Sequence, residues 1–595
     1  MDVYSGCTKD NAQMAEADVM VGKRTQWADI ALLVTGAILL FWGLGVHGLW
    51  AAEGRWAQIT REMLLTGDFF HPTIGGEPYF DKPLLTYWLR AAIFAVTGTL
   101  NELTVRLPSV IAGMAALWAT MKVGTRLWSA PTGRVAGWLL LTMYAFLFWA
   151  RTGTAEAENL AAITLAVAWY WSRRDRLSFP AILVFYLIAF VGALTKGLTA
   201  VVVPMLIVLP DLLVERRWRI FFSIRHLGAF AIGLLVYLSP FVYAAWTQPA
   251  SYQSSGLALV FQENILRYFQ PLDHKGPIYL YLYELPILLL PWTPLFVVAA
   301  IRMAKYSKGL DGHTRWLIWA IVLVFLFFSL SGSRRSYYIL PILPLCALLM
   351  AVFVVRIREP NVDELRQKGL AIQGALFIGL VAFDLAIPLI LTIAGSVWHV
   401  RVPLRFHVVS LGIGAAAILL WICLSKFWNW SMASPGEHGA IQPWIGVAVV
   451  LLGGYFCWQQ NILESNRTEY PFVKELQARS ATLSPERIAM FPKANANILF
   501  YLQMDKPIKI IQDVDQIRRF LEPGLPGVLI AQNRYAAGLP PEIVSELQRQ
   551  HSLHEQQQPW ESKSSRKEKW VAWFWGHPVD ALETTETGEG MSHAD

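Results

Sequence analysis

Charge is what this chain has least of. Of its 595 residues only 16% are Asp, Glu, Lys or Arg, against 55% hydrophobic, whereas a soluble globular chain carries roughly 25% charged residues. That composition excludes an ordinary water-soluble enzyme. Cysteine is scarce as well: Cys7, Cys346, Cys423 and Cys457 are too few and too scattered for a disulfide framework or a cysteine-based metal site. Three of the four stand in apolar runs and read as inert core residues. The twelve histidines contain no His-x-x-x-His pair, so a zinc hydrolase has no support. Residues 1–25 are polar, with no apolar run before Ala28. A cleaved signal peptide is therefore not expected there, and the stretch reads as a cytoplasmic tail.

What the chain does have is long apolar runs, such as Ala28 to Leu49 and Leu370 to Ala394, each reaching the ~20 residues a helix needs to cross a bilayer. Thirteen full-length candidates can be marked, at roughly 28–49, 104–126, 134–150, 157–172, 179–194, 198–214, 226–247, 278–301, 314–331, 337–356, 370–394, 407–425 and 442–459. The 26 Trp and 20 Tyr suit a membrane interface. Leu84 to Gly98 is shorter and carries Arg90. Basic residues accumulate in short cytoplasmic loops. With Lys23-Arg24 inside and 84–98 not crossing, the clusters at 173–176, 216–219, 302–308 and 356–368 all fall inside. The 84–98 segment therefore reads as an interfacial helix on the outer surface. Residues 26–459 form the transmembrane domain, with outer loops at 50–103 and 248–277, and the carboxy-terminal part lies outside.

This topology gathers charge on one side. Glu53, Arg55, Asp81, Lys82, Arg106, Arg151, Glu156, Glu158, Lys196, Glu263, Arg267, His274, Lys275, Arg334 and Arg335 all fall at outer helix ends or outer loops. Several enter apolar runs, where an ionisable group is costly unless paired or functional. A site for an anionic, membrane-embedded substrate at the outer interface follows.

The first outer loop predicts a short juxtamembrane helix from Trp56, with apolar positions 56, 59, 63 and 64 on a helical period and Gly67 as its stop. Glu53 and Arg55 stand at its entry, where an acid is also simply favoured by the helix dipole. In Tyr79-Phe80-Asp81-Lys82-Pro83 the lysine can pair with a phosphate as a point charge or snorkel to the headgroups. Glu156 and Glu158 form a pair of acids that could share a cation or be solvated at the loop. Lys196 lies between two spans joined by almost no loop. Arg334 and Arg335 run against the positive-inside bias, and bidentate phosphate binding would explain them; Tyr337 and Tyr338 follow directly.

From Gln460 onward the chain carries 15 basic and 18 acidic residues and changes to soluble patterning. Arg487 to Phe491, Pro507 to Ile511, Gly527 to Ala531 and Trp570 to Trp575 read as strands, with helices at 495–503 and 514–522 between them. This predicts a small α/β domain at 460–580, without a glycine-rich phosphate loop, and a disordered tail at 581–595.

Five stretches, in order and at matching topology, carry a resemblance. They are Glu53-Gly54-Arg55-Trp56 onward to Met63, Tyr79 to Pro83, Leu194-Thr195-Lys196-Gly197-Leu198, His274 to Pro277, and Arg335 to Pro341. Through them the whole chain resembles the bacterial lipid A aminoarabinose transferases and, more distantly, the protein O-mannosyltransferases, membrane glycosyltransferases of the type C fold. The resemblance implies a sugar donor linked to a polyprenyl phosphate, undecaprenyl phosphate in bacteria. It also implies transfer with inversion outside the cytoplasmic membrane, to lipid A, another envelope glycan or a protein hydroxyl. It implies that Arg55, Lys82, Lys196, Arg267, Arg334 and Arg335 hold the donor phosphate, and that Tyr79, Asp81, Glu158, Glu263, His274 and Tyr337 contact donor or acceptor. The resemblance makes Glu53 and Glu156 the catalytic candidates, Glu156 lying where the family places a second-loop Asp. One position departs: in the first loop the family has an Asp-Glu pair with the Asp as its catalytic group, and here that position is Ala52 and only Glu53 remains. Either Glu53 has taken over the role, or the acceptor is already anionic and needs no strong base.

No cofactor is required by this reading, although a divalent cation is compatible with the acids, and no nucleic acid is expected. A lipid-linked sugar flippase is the rival from another class. It would more readily show paired broken spans with polar groups at mid-membrane, and here the charges collect at one side.

Overall fold

The computed structural model describes residues 26–50, 52–249, 276–305, 309–356, 360–398, 404–431, 441–463, 469–521, 525–556 and 565–576, with positions 252, 257, 258 and 266 between them. The tails expected at 1–25 and 581–595, and the loop residues Glu263, Arg267 and His274, lie outside the described residues.

The chain is mostly helix. In order, α1 (Gln26–Phe41) is followed by α2 (Glu53–Thr66), a two-stranded hairpin of β1 (Thr73–Ile74) and β2 (Glu77–Pro78), and α3 (Leu85–Thr97). Then come α4 (Glu102–Leu127), α5 (Ala130–Leu141), α6 (Tyr144–Ala150), α7 (Glu156–Arg173), α8 (Phe179–Lys196), α9 (Thr199–Val214) and α10 (Ile224–Trp246). Next are α11 (Leu280–Leu288), α12 (Thr293–Lys305), α13 (Gly312–Leu330), α14 (Leu343–Arg356), α15 (Pro360–Trp398), α16 (Leu404–Ser431) and α17 (Gln442–Gly454).

Among the described residues seven helices are long and apolar enough to cross a membrane, or eight if α5 and α6, bent by 71°, make one span. Helices also occupy the other positions marked from the apolar runs, and the reason each falls short is visible. α1 and α9 are shorter, and α7 begins with two acids. The run at 278–301 is broken between α11 and α12. α17 passes into a π-helical turn at Tyr455–Gln459. Large apolar side chains such as Ile378, Leu389, Leu411 and Leu419 are exposed along α15 and α16. Contiguous apolar surface of that kind belongs against lipid rather than water. The chain is a polytopic α-helical membrane protein.

α4 packs against α5 and α7 at the centre of the bundle. A Cβ on Gly124 would lie 2.7 Å from the Cα of Gly133, so α4 and α5 touch backbone to backbone. Small residues permit such contacts where no hydrophobic force drives helices together. At the end of α7 opposite Glu156, Arg174 grips Asp211 through Nε at 2.9 Å and Nη2 at 2.8 Å and also pairs with Glu215 at 3.1 Å. This ties α7 to α9.

After α18 (Glu469–Ser480) the chain alternates strands and helices: β3 (Ile488–Phe491), α19 (Ala496–Leu502), β4 (Lys509–Ile510), α20 (Val514–Phe520), β5 (Gly527–Gln532), α21 (Pro541–Gln548), β6 (His551–His554) and β7 (Trp570–Trp575). The strands form one mixed sheet in the order β4-β3-β5-β7-β6. β3 pairs in parallel with β4 and β5, and β7 is antiparallel to β5 and β6. All six residues of β7 are buried, which is why its sequence reads as an unbroken apolar run rather than an alternation.

This carboxy-terminal unit sits on α2. A Cβ at Gly54 would fall 1.6 Å from Asn497 Oδ1, so Asn497 of α19 already fills the space a side chain there would need. Tyr501 completes the junction. Its hydroxyl accepts from the Leu49 amide at 2.6 Å and donates to Glu102 Oε1 at 3.1 Å.

Candidate active site

Glu53 opens α2, but it is not a surface cap. It is 1% exposed, and its carboxylate faces Arg106 of α4 at two points, Nε to Oε1 and Nη2 to Oε2, both 2.8 Å. Backbone amides of Gly153 and Trp50 donate to the same two oxygens at 2.6 and 3.2 Å. Burial pushes this carboxyl up, but the Arg106 charge and these hydrogen bonds outweigh burial and hold it below its ordinary value. Arg106 spends its remaining donors on the carbonyls of Leu44, His47 and Gly48, at 2.7, 3.0 and 3.0 Å. Glu53 therefore fixes the start of α2 onto the bundle. With its oxygens already accepting four donors, it is poorly placed to take a proton from a substrate.

Two residues along α2, Arg55 turns toward the hairpin. Its Nη1 donates to the Tyr79 hydroxyl at 3.1 Å and to Asp81 Oδ2 at 3.2 Å. Lys82 folds back on the same acid, with Nζ 2.9 Å from the Asp81 carbonyl and 3.5 Å from Oδ2. Burial lowers the basicity of Arg55, but Asp81 outweighs it and the guanidinium stays firmly charged. Burial and the Asp81 charge raise the Tyr79 phenol. The hairpin that delivers these residues is itself held by Glu62, which accepts from the Gly75 amide at 2.6 Å and the Thr73 hydroxyl at 2.5 Å. Gly75 and Gly76 turn it at φ 64° and 79°, where any other residue would be strained.

Lys196 ends α8 and forms an ion pair with Glu156 at the start of α7. Tyr337 and Tyr338 lie over it, with Nζ 5.3 and 4.9 Å from their ring centroids. Arg335 donates to the Tyr337 hydroxyl at 2.7 Å, and Arg55 is near enough to act electrostatically on that phenol. The two groups of cations thus meet through Tyr337. Arg334 turns the other way, to the carbonyls of Ser329 at 2.9 Å and Gly276 at 2.5 Å. The twin arginines therefore differ in kind: Arg334 ties loop backbone together, and Arg335 faces the site.

Glu156 and Glu158 do not share a cation. Two residues apart on a helix, they point to opposite sides. Glu158 is 5% exposed, 3.6 Å from Arg90 of α3 and within 3.3 Å of the Ser109 hydroxyl. Among the described residues no three His, Cys, Asp or Glu side chains group to hold a metal ion. Three participants are absent from the sequence-level assignment of roles: Arg106 as the partner of Glu53, Arg90 as the partner of Glu158, and Tyr338 over Lys196. For the arginines the signal is their place in apolar runs, where a charge needs an opposite one.

The fold matches known proteins throughout. The structure of ArnT from Cupriavidus metallidurans bound to undecaprenyl phosphate superposes with a TM-score of 0.70 at 18% identity, covering 92% of this chain and 98% of that one. Its apo form gives 0.65 at 19% identity, with coverage of 93% and 98%. The dolichyl-phosphate-mannose-protein mannosyltransferase family model matches residues 81–244. Together these define a membrane glycosyltransferase of the type C fold. The relationship is closer than fold alone. An undecaprenyl phosphate-alpha-4-amino-4-deoxy-L-arabinose arabinosyl transferase of Pseudomonas paraeruginosa is 32% identical over 413 residues, 67% of this chain and 71% of its own. One from Pseudomonas aeruginosa PAO1 is 33% identical over 410 residues, 66% and 70% of the two chains. The chain belongs to the family of undecaprenyl phosphate-aminoarabinose arabinosyl transferases.

Proposed function

We propose that this glycosyltransferase moves an aminoarabinose-type sugar from undecaprenyl phosphate to lipid A, with inversion, at the outer face of the bacterial inner membrane. In this reading thirteen helical segments cross the membrane, with α5 and α6 as one bent span and α11 and α12 as one broken span. α3 lies along the outer surface, and the carboxy-terminal α/β domain, 460–580, stands outside. The observation that carries it is the convergence of Arg55, Lys82, Lys196 and Arg335 with Tyr79 and Tyr337 beside the outer loop.

The reaction needs little else. An acceptor oxygen attacks the anomeric carbon, the bond from that carbon to the carrier phosphate oxygen breaks, and the electron pair leaves on the phosphate. Fixed cations stabilise the charge as it develops. Arg55 and Lys82 hold the phosphate from the hairpin side, and Lys196 and Arg335 hold it from α8 and the loop before α14. Glu156 orients Lys196, and Glu53 positions the loop rather than reacting. A lipid A phosphate is already anionic and requires no base, in keeping with Ala52 where the resembled family carries Asp. By the resemblance, Arg267 also holds the donor phosphate, and Glu263 and His274 contact donor or acceptor.

A protein hydroxyl is the second acceptor to weigh, because the matching family model describes protein mannosyltransferases. A hydroxyl must lose its proton. Asp81, whose Oδ1 is buried and accepts no hydrogen bond among the described residues, is the carboxylate placed to take it.

Mass spectrometry of lipid A and of envelope proteins, in a deletion strain with and without the wild-type gene, separates the readings. An aminopentose mass increment on lipid A that vanishes on deletion and returns on complementation is the expected result. An increment confined to protein selects the second reading. No change in either fraction refutes transfer to both acceptors.

A further inference from the structure

Beyond Arg55, the same face of α2 carries a second polar site. Positions 55, 58 and 62 are spaced by three and four, so their side chains line up along one stripe. Gln58 and Glu62 wall a cavity of about 330 Å³ between α2, the hairpin and the 502–508 turn of the carboxy-terminal unit. That volume lies at the lower end of the roughly 300–1,000 Å³ range of small-molecule sites. Its walls also include the charged Arg61, Asp505 and Lys506 and the apolar Leu65, Leu499 and Met504.

Gln58 is 4% exposed. Its amide orientation is set by chemistry: Nε2 donates to Glu62 Oε1 at 2.6 Å, and a carboxylate accepts only from the nitrogen end. That leaves Oε1, a buried atom accepting no hydrogen bond among the described residues, on a side chain that lines the cavity. A buried acceptor without a donor costs about 1–3 kcal/mol, a cost that a ligand hydroxyl or N–H in the cavity would relieve. Two cations, Arg61 and Lys506, and two acids, Glu62 and Asp505, surround the space. The lining is balanced in charge and sets these groups among apolar side chains, unlike the cation-dominated donor cluster. Such a lining fits a polyhydroxylated ring better than an isolated phosphate. From Arg55 to the middle of the cavity is three to seven residues of helix, about 5–10 Å at 1.5 Å per residue, the scale of one sugar unit.

We infer that this cavity seats a saccharide ring of the acceptor while the neighbouring unit receives the transferred sugar. The inference rests on the lipid A reading above and gives the carboxy-terminal unit a role in acceptor recognition.

The test uses the full-length protein in detergent. Saturation-transfer NMR with the deacylated lipid A saccharide reads the cavity, and native mass spectrometry with undecaprenyl phosphate reads the donor site. Met504→Trp fills the cavity from the carboxy-terminal wall, and Gln58→Met removes the buried acceptor. Each is expected to weaken saccharide binding about tenfold or more while leaving undecaprenyl phosphate binding within about twofold. Unchanged saccharide binding in both variants overturns the assignment, and so does an equal loss of undecaprenyl phosphate. Transfer assays with intact lipid A keep the two readings apart. A wild type that binds the saccharide but transfers nothing to lipid A refutes the proposed reaction. A wild type that transfers, with an acceptor KM unmoved in both variants, refutes the cavity alone.

Discussion

Arg106 and Glu53 meet in a buried two-point contact, 53 residues apart in sequence, that joins the start of α2 to α4. Removing one member of a buried pair leaves the other charge uncompensated and costs about 3–5 kcal/mol. Glu53→Ala and Arg106→Met should each lower the unfolding temperature in detergent markedly, and the double variant should recover part of the loss. If Glu53→Ala melts like wild type yet has no turnover, Glu53 is a reacting group after all.

The same pair sets a pH dependence. The folded Glu53 carboxyl lies below its ordinary value of 4.5. Its contribution to stability is therefore fully present above that value and is lost as pH falls through the lower folded value. Wild type should lose melting temperature on acidification below about pH 4.5. Glu53→Gln should start lower and show a flatter acid limb, which a pH series of thermal melts would read directly.

Lys82→Ala should cut transfer by about a hundredfold or more, the scale found when one donor to a developing anion is removed. The ammonium is partly exposed and contacts its sequence neighbour Asp81, so the fold should persist. Retained turnover in a correctly folded variant would remove Lys82 from the phosphate site.

The neighbouring arginines should separate cleanly. Arg334 holds two backbone carbonyls, so Arg334→Ala should lower the melting temperature and affect kcat only through misassembly. Arg335 faces the Tyr337 hydroxyl, so Arg335→Ala should keep the melting temperature and raise the donor KM about tenfold. Paired melts and steady-state kinetics would expose the contrast, and a reversed pattern would exchange the two roles.

Gly54→Ala adds a methyl group where Asn497 already stands, with the Asn497 Cα itself at 2.9 Å. Backbone cannot yield as a side-chain tip does, so the α2–α19 junction should open. A destabilisation of about 1–3 kcal/mol is expected. Limited proteolysis between α17 and α18 should report it as faster release of the carboxy-terminal unit.

Much of this organisation is legible before any coordinates. Hydropathy places helices at every apolar run, and at 84–98 the structure has a 13-residue helix stopped at Gly98. The strands at β3, β5 and β7 announce themselves because they are buried on both faces. β6, with three of its four residues exposed, leaves no such pattern. Pairing is what sequence does not disclose. Glu53 and Glu158 look alike as acids at helix entrances, and only the fold brings Arg106 to one and Arg90 to the other. Adjacent Arg334 and Arg335 are equivalent as letters, yet one turn of backbone sends them to different partners.

Tyr501 bears on how the protein is made. The residue that fixes Leu49 lies 452 positions downstream, so at about 5–20 residues per second the ribosome needs roughly 20 to 90 seconds to supply it. Throughout that interval the early helices can insert, but Leu49 and the segment leading into α2 have no Tyr501 to hold them. Assembly of this junction is therefore a late event, completed only after α17 and α18 have been delivered. A chain truncated before α19 would still enter the bilayer and would lack the contact that seats the start of α2.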